Sequence, residues 1–186
     1  RLKRSKLIDN IIIATSTNKS DDALVDFAKT YNLDYFRGSE SDVLDRIASC
    51  IDTFKIDTHV EFLGDSPLAD PELIDHIIST YLENKETVDF VSNDLKVTYP
   101  PGLEIKAYRA NCLTEQNGEL DKNDPLREHV ALHIVSKPNR YRLLNIEAPK
   151  EHHNPELYLE VDTQSDFEVI QTIIEALYPD NPNFST

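Results

Sequence analysis

The sequence runs to 186 residues, and its 34 Asp and Glu against 19 Lys and Arg leave a formal charge of −15. That length suits one domain with a sizeable core, and the acidic balance argues against a nucleic-acid partner, which would need a basic surface to neutralise phosphates. No apolar run approaches the ~20 residues that cross a bilayer and no signal peptide is visible, so a cytoplasmic protein without a membrane partner is expected.

The chain opens on Arg1-Leu2-Lys3-Arg4-Ser5-Lys6, which reads as the end of a helix. Asn10 to Thr15 is a continuous apolar run, as in a strand buried on both faces. Asp21 to Tyr31 predicts a helix with Leu24, Phe27, Ala28 and Tyr31 on its inner face. A short strand at Asp34–Phe36 and a turn at Arg37-Gly38-Ser39 follow. From Ser41 to Phe54, helical spacing recurs through Val43, Leu44, Ile47, Ile51 and Phe54. Cys50 lies on this helix, and neither it nor Cys112 has CxxC spacing, so reduced thiols are expected.

The stretch from Thr58 to Pro71 begins as an apolar, β-branched strand and ends in Gly64-Asp65-Ser66-Pro67. Gly64 suits an unusual backbone conformation or a close ligand approach. Asp70 and Pro71 suit the cap and first position of a helix running to Leu82. Asp65 is thereby placed beyond the carboxyl end of a strand, where open α/β sheets bind ligands. A turn-capping role is the simpler reading of Asp65 by itself.

A strand at Val88–Asn93, a loop at Thr98-Tyr99-Pro100-Pro101-Gly102 and an alternating strand from Leu103 to Arg109 come next. Asp124 and Pro125 start a helix to about Val135, and Tyr141–Ile146 is another strand. The stretch 94–150 reads as an α+β insertion in a single domain spanning 1–186. Leu157–Val161 returns to a strand, Gln164–Tyr178 is a helix with Phe167, Ile170, Ile173, Ile174 and Leu177 inward, and Pro179–Thr186 is a loose tail. The order of elements calls for an α/β fold, a mainly parallel sheet with helices on both faces.

Val161-Asp162-Thr163 repeats the pattern of strand, acid and helix start. Asp162 or Thr163 could simply cap the last helix. Paired with Asp65, it forms the kind of small oxygen-ligand set that suits Mg²⁺, an ion that keeps its waters and leans on substrate phosphates. His59 reads as structural, and His152 and His153 lack partners at zinc-ligand spacing.

Ala14-Thr15-Ser16-Thr17-Asn18, Phe36-Arg37-Gly38-Ser39-Glu40-Ser41-Asp42-Val43-Leu44-Asp45-Arg46, Gly64-Asp65-Ser66-Pro67-Leu68 and Val161-Asp162-Thr163 stand in the order seen in sugar-acid cytidylyltransferases. Tyr99 to Leu103 and Arg127-Glu128-His129-Val130 add to the likeness. The sequence resembles the spore coat polysaccharide biosynthesis protein F group, which is similar to CMP-KDO synthetases and acylneuraminate cytidylyltransferases.

The resemblance implies a nucleotide-diphospho-sugar transferase fold and a reaction in which a sugar-acid hydroxyl attacks the α-phosphate of CTP. A CMP-sugar and pyrophosphate would form, with Mg²⁺ as cofactor, for a bacterial surface glycan or spore coat polysaccharide. Asp65 and Asp162 match the catalytic metal ligands. Ala14, Thr15, Ser16, Arg37, Gly38, Ser39 and Arg46 match nucleotide-lining positions, although Arg46 could equally be a surface residue paired with Asp42. Tyr99, Gly102, Arg127 and His129 are candidates for the sugar pocket or a subunit contact, with structural roles open for Tyr99, Arg127 and His129.

The resemblance also implies a homodimer built through 94–150. Family members begin with a strand and a glycine-rich loop that holds the triphosphate, and nothing from Arg1 onward matches it. Either that segment is omitted here or the chain is not competent as it stands. That first strand would lie between the ones at 10–15 and 59–63, so those two should not pair directly. A nucleotidyltransferase using another base and sugar phosphate, or a non-catalytic nucleotide-sugar binding module, are the rival functions.

Overall fold

The computed structural model describes residues 1–185 and shows a mixed α/β chain in two compact units. One comprises Arg1–Ile8, Val60–Ala107 and the residues from Leu143 on; the other comprises Asp9–His59 and Tyr108–Arg142. The stretch 94–150 has residues in both.

In the second unit, β1 (Ile12–Ser16) and β2 (Asp34–Gly38) form a two-stranded parallel sheet in which Ala14 faces Phe36, Thr15 faces Arg37 and Ser16 faces Gly38. Arg37 and Gly38 thus continue the strand that was expected to end before them. Helix α1 (Asp22–Thr30) buries Val25 and Ala28. Leu24, Phe27 and Tyr31, expected inward, are exposed, and the Phe27 and Tyr31 rings pack on each other at 4.5 Å. The helix is turned so that its small residues, not its large ones, meet the unit. Helix α2 (Val43–Phe54) buries Leu44, Ala48, Cys50 and Ile51 and ends at Lys55 in the left-handed region.

Helix α4 (Asn111–Glu119) escapes a reading by pattern, because two Asn, a Thr and a Gly make it a poor helix former. Tertiary burial of Cys112, Leu113 and Gln116 holds it. The helix expected from Asp124 to Val135 is broken in two. Pro125–Glu128 forms a 3₁₀ turn capped by Asp124, and α5 is only Leu132–Val135.

A second sheet has four strands in the order β3-β5-β4-β6, from β3 (Thr58–Glu61), β4 (Phe90–Ser92), β5 (Lys106–Arg109) and β6 (Leu143–Asn145). β4 and β6 run parallel. β1 and β3 belong to different sheets and do not pair with each other. Lys106, on β5, lies 3.5 Å from Glu61 on β3 and 3.3 Å from Asp94 just past β4. Burial pulls its pKa down, but the two carboxylates outweigh burial and hold it above the ordinary range.

Helix α3 (Pro71–Asn84) is capped by Asp70, which accepts from the amides of Glu72 and Leu73. Its Ile74, Ile77, Ile78 and Tyr81 form a core with Val91, Ile105 and Ala107. A second core gathers Leu68, Leu103, Leu159, Ile170 and Phe184. Phe184 therefore anchors the tail expected to be loose, and the Arg1 guanidinium lies 4.6 Å from its ring centre. Only Ile170 of α6 (Gln164–Leu177) is fully buried, with Ile173 and Ile174 packed at the core margin and Phe167 and Leu177 exposed.

Leu157–Val161 forms no strand. Its alternate amides go to loop carbonyls, Leu159 to Pro101 at 2.8 Å and Val161 to Asp65 at 2.9 Å, so no ladder can form. The 98–103 loop is itself splinted by Asn93, whose side chain donates to Leu103 O and accepts from Ile105 N. Gly102 has φ +98°, and a Cβ there would stand 2.5 Å from the Leu159 carbonyl carbon. Gly64, expected to hold an unusual conformation or to admit a close ligand approach, has no such φ, and a Cβ on it would meet nothing. Gly102→Ala should therefore destabilise the protein by at least ~1–3 kcal/mol, the cost of strain at such a position. Denaturant unfolding measures it, and an unchanged midpoint would contradict the close approach.

Candidate functional site

Asp65, Asp162, Tyr99 and Gly102 fall in the first unit. Asp65 stands four residues past β3, in a turn where Ser66 N bonds Leu63 O, and its Oδ1 accepts the Ser66 hydroxyl at 3.2 Å. The Val161 amide on the Asp65 carbonyl sets Asp162 one residue from that bond.

Helix α6 is capped by its neighbours and not by Asp162. Thr163 accepts from the Asp166 amide while the Asp166 carboxylate accepts from the Thr163 amide, a reciprocal box. The Asp162 carboxylate is therefore free of the capping role that its position allowed, and its one recorded partner is the Tyr158 hydroxyl, which donates to Oδ2. Hydrogen bonding to Asp162 and Glu160 holds the Tyr158 phenol well above its usual pKa.

The two carboxylates offer only hard oxygen donors. Among the described residues no group of three or more His, Cys, Asp and Glu is placed to hold a metal. A pair suffices for a small hard cation that completes its shell with water and phosphate oxygens. Tyr99 lines a cavity of about 410 Å³ with Asp70, Leu73, His76, His152 and Leu157, and burial raises its pKa. Gly102 serves the backbone contact with Leu159 described above.

The remaining expected residues lie in the second unit. Ala14, Thr15, Ser16, Arg37, Gly38, Ser39 and Arg46 gather at the carboxyl ends of the parallel strands β1 and β2. Thr15 Oγ1 and the Ser16 amide both bond Asp21 Oδ2, at 2.6 and 3.0 Å. These bonds, with Ser20, hold the Asp21 pKa well below the ordinary carboxylate range. Arg37 bonds Ser16 O, Asn18 O and Asp22, each within 2.8 Å. Arg46 does not pair with Asp42. Its Nη1 donates to Ser39 O, its stem lies where a Gly38 side chain would be, and its Nε is buried without a partner among the described residues.

Arg127 is 2% exposed and bonds Asp42 Oδ2 at 2.9 Å and Asn117, leaving Nη1 unpartnered among the described residues. Asp42 also caps α2, and Asn117 and Lys122 both donate to Asp45, so one polar network joins α2, α4 and the Pro125–Glu128 turn. His129 is exposed at the end of that turn.

Asp21, Asn117 and Tyr158 are bonding partners of the expected site residues that pattern reading passed over. Asp21 had one signal, an acid six residues after Thr15 at a helix start. Tyr158 had another, its two-residue alternation with Glu160 and Asp162.

A family model described as cytidylyltransferase matches residues 1–179. The chain is a member of the cytidylyltransferase family. It is 32% identical to spore coat polysaccharide biosynthesis protein SpsF of Bacillus subtilis over 167 residues, 90% of this chain and 68% of that one. The structure of a cytidylyltransferase from Leptospira borgpetersenii superposes with a TM-score of 0.90 at 27% identity, covering 100% of this chain and 76% of the other. CMP:2-keto-3-deoxy-manno-octonic acid synthetase, solved with CTP, shares the fold at a TM-score of 0.63 and 13% identity, over 95% of this chain and 85% of that one. Membership makes the chain a CTP-dependent nucleotidyltransferase with the nucleotide-diphospho-sugar transferase fold.

His133 is 4% exposed, with Nε2 buried and unpartnered among the described residues. Desolvation holds its pKa below the ordinary histidine value of about 6.5. Its folded value is below its unfolded value, so the unfolded chain binds the proton more readily and stability falls as pH drops through 6.5 toward the folded value. Melting temperature should decline between pH 7.5 and 5.5, and His133→Leu should flatten that decline. Parallel curves for the two proteins would show that His133 is not a buried neutral group.

Proposed function

We propose that this family member transfers the cytidylyl group of CTP to a hydroxyl of a sugar acid, with Mg²⁺ held by Asp65 and Asp162. The hydroxyl oxygen attacks the α-phosphorus, the α–β phosphoanhydride bond breaks, and a CMP-sugar and pyrophosphate result. Such a product suits assembly of a bacterial surface glycan or spore coat polysaccharide, made in the cytoplasm. Both cysteines are free thiols, and burial pushes that of Cys50 up to about 11.

The observation that supports the metal role most is the Val161 amide on the Asp65 carbonyl, next to an Asp162 that the α6 cap leaves free. When bound, the cation would neutralise charge building on the phosphates. The chain's own part is alignment. Asp65 and Asp162 present oxygens from a turn and from a backbone-anchored segment. Thr15, Ser16, Gly38 and Ser39 offer a rigid nucleotide-lining edge, because Asp21 and Arg37 fasten it from behind. No protein nucleophile is needed.

The test is pyrophosphate release by the full-length protein with each of four nucleoside triphosphates and a panel of sugar acids. Release with CTP and one sugar acid is expected. Asp65→Asn and Asp162→Asn should each lower kcat by about 100-fold or more, the scale of removing a transition-state contact, with melting temperatures near the parent's. Equal turnover with a different triphosphate, or full activity in Asp65→Asn, would overturn the reading.

The same proposal includes a two-fold homodimer through the stretch 94–150, as the resembling synthetases imply. Light scattering at micromolar concentration should give twice the chain mass. A one-chain mass would remove this part and leave the chemistry untouched.

A further inference from the structure

The segment leading into Asp162 is fastened on alternate residues. Leu159 and Val161 give their amides to Pro101 and Asp65, and Leu159 is 5% exposed. Tyr158, Glu160 and Asp162 are the other set, and Tyr158 is 45% exposed. From that set the Tyr158 hydroxyl reaches back and donates to Asp162 Oδ2. No other described side chain is recorded on this carboxylate.

A carboxylate on a short side chain can rotate about its last bond, and a single ligand oxygen must point at the ion to bind it. A hydrogen bond to one oxygen fixes that rotation and leaves the other, Oδ1, for the cation. Partners of this kind behind ligating groups are worth about 10- to 100-fold in metal affinity. We propose that Tyr158 is a positioning residue, its phenol orienting the Asp162 carboxylate so that Oδ1 meets the divalent cation. The inference rests on the metal role proposed for Asp162.

A purely structural role for this bond is disfavoured by its setting. Both residues are exposed, and the segment is already held by Leu159, Val161 and the Gly102 contact. Tyr158→Phe removes one hydroxyl and keeps the ring, so folding should be unaffected.

The experiment measures Mn²⁺ binding by electron paramagnetic resonance of the free ion, with the full-length parent, Tyr158→Phe, Asp162→Asn and the double variant. Melting temperatures are taken without metal. Tyr158→Phe should bind Mn²⁺ about 10- to 100-fold more weakly at an unchanged melting temperature. In the Asp162→Asn background the same change should have no further effect, because the tyrosine acts through that carboxylate. Parent-like binding by Tyr158→Phe, with binding lost in Asp162→Asn, would overturn the inference and leave the metal reading standing. Parent-like binding by Asp162→Asn would overturn both. Weakened binding together with a lowered melting temperature would assign Tyr158 to structure and overturn the positioning role.

Discussion

The close approach of the Leu159 backbone to Gly102 leaves no space for a side chain, and much of the first unit follows from it. Only glycine supplies both the positive φ and the missing Cβ. With Leu159 seated there, its side chain joins Leu68, Leu103, Ile170 and Phe184 in a core. Two residues on, the Val161 amide can meet only what lies beside it, the Asp65 carbonyl. A loop glycine thus faces a residue that lies two positions along the chain from a backbone bond joining the Asp65 turn to the segment before Asp162. The splint behind the loop, Asn93 to Leu103 and Ile105, keeps Gly102 from shifting.

The second unit reaches rigidity by polar means. Arg37 fastens the β1–α1 connection through two backbone carbonyls and Asp22, while Asp21 takes the Thr15 hydroxyl and the Ser16 amide. Deeper in, Arg127 is almost wholly removed from water and joined to Asp42 and Asn117. A buried guanidinium whose carboxylate is removed typically costs ~3–5 kcal/mol. The α2 cap and the Arg127 pair share Asp42, so that one acid secures a helix start and a distant turn together.

The elements that sequence reading found are those whose signal is local. Asp70 and Pro71 at α3 and the hydrophobic spacing of α2 dictate structure through their own neighbours. What escaped depends on partners far away in sequence. Leu157–Val161 has strand composition, but its amides are taken by Pro101 and Asp65, which no local pattern reveals. Likewise Gly64, beside the acid, looked like the glycine that mattered; Gly102 is the one with a backbone against it. On α1, Ala28 is buried as expected, but the large residues Leu24, Phe27 and Tyr31 of the same predicted face are exposed and Val25 is buried instead. Among the expected site residues, the bonding partners Asp21, Asn117 and Tyr158 carried no local pattern that singled them out.

The bonding of the arginines bears on how a triphosphate could be neutralised. Three were candidates for ligand contact, and each is engaged within the protein. Arg37 gives Nε, Nη1 and Nη2 to Ser16, Asp22 and Asn18; Arg46 gives Nη1 to Ser39; Arg127 gives Nε and Nη2 to Asp42 and Asn117. None presents the open, two-pronged fork that arginine uses to grip a phosphate. In a chain of net charge −15, an approaching polyanion meets a field of its own sign. A cation bound by Asp65 and Asp162 would supply that charge at the acids themselves, turning a repulsive pair of carboxylates into an attractive one.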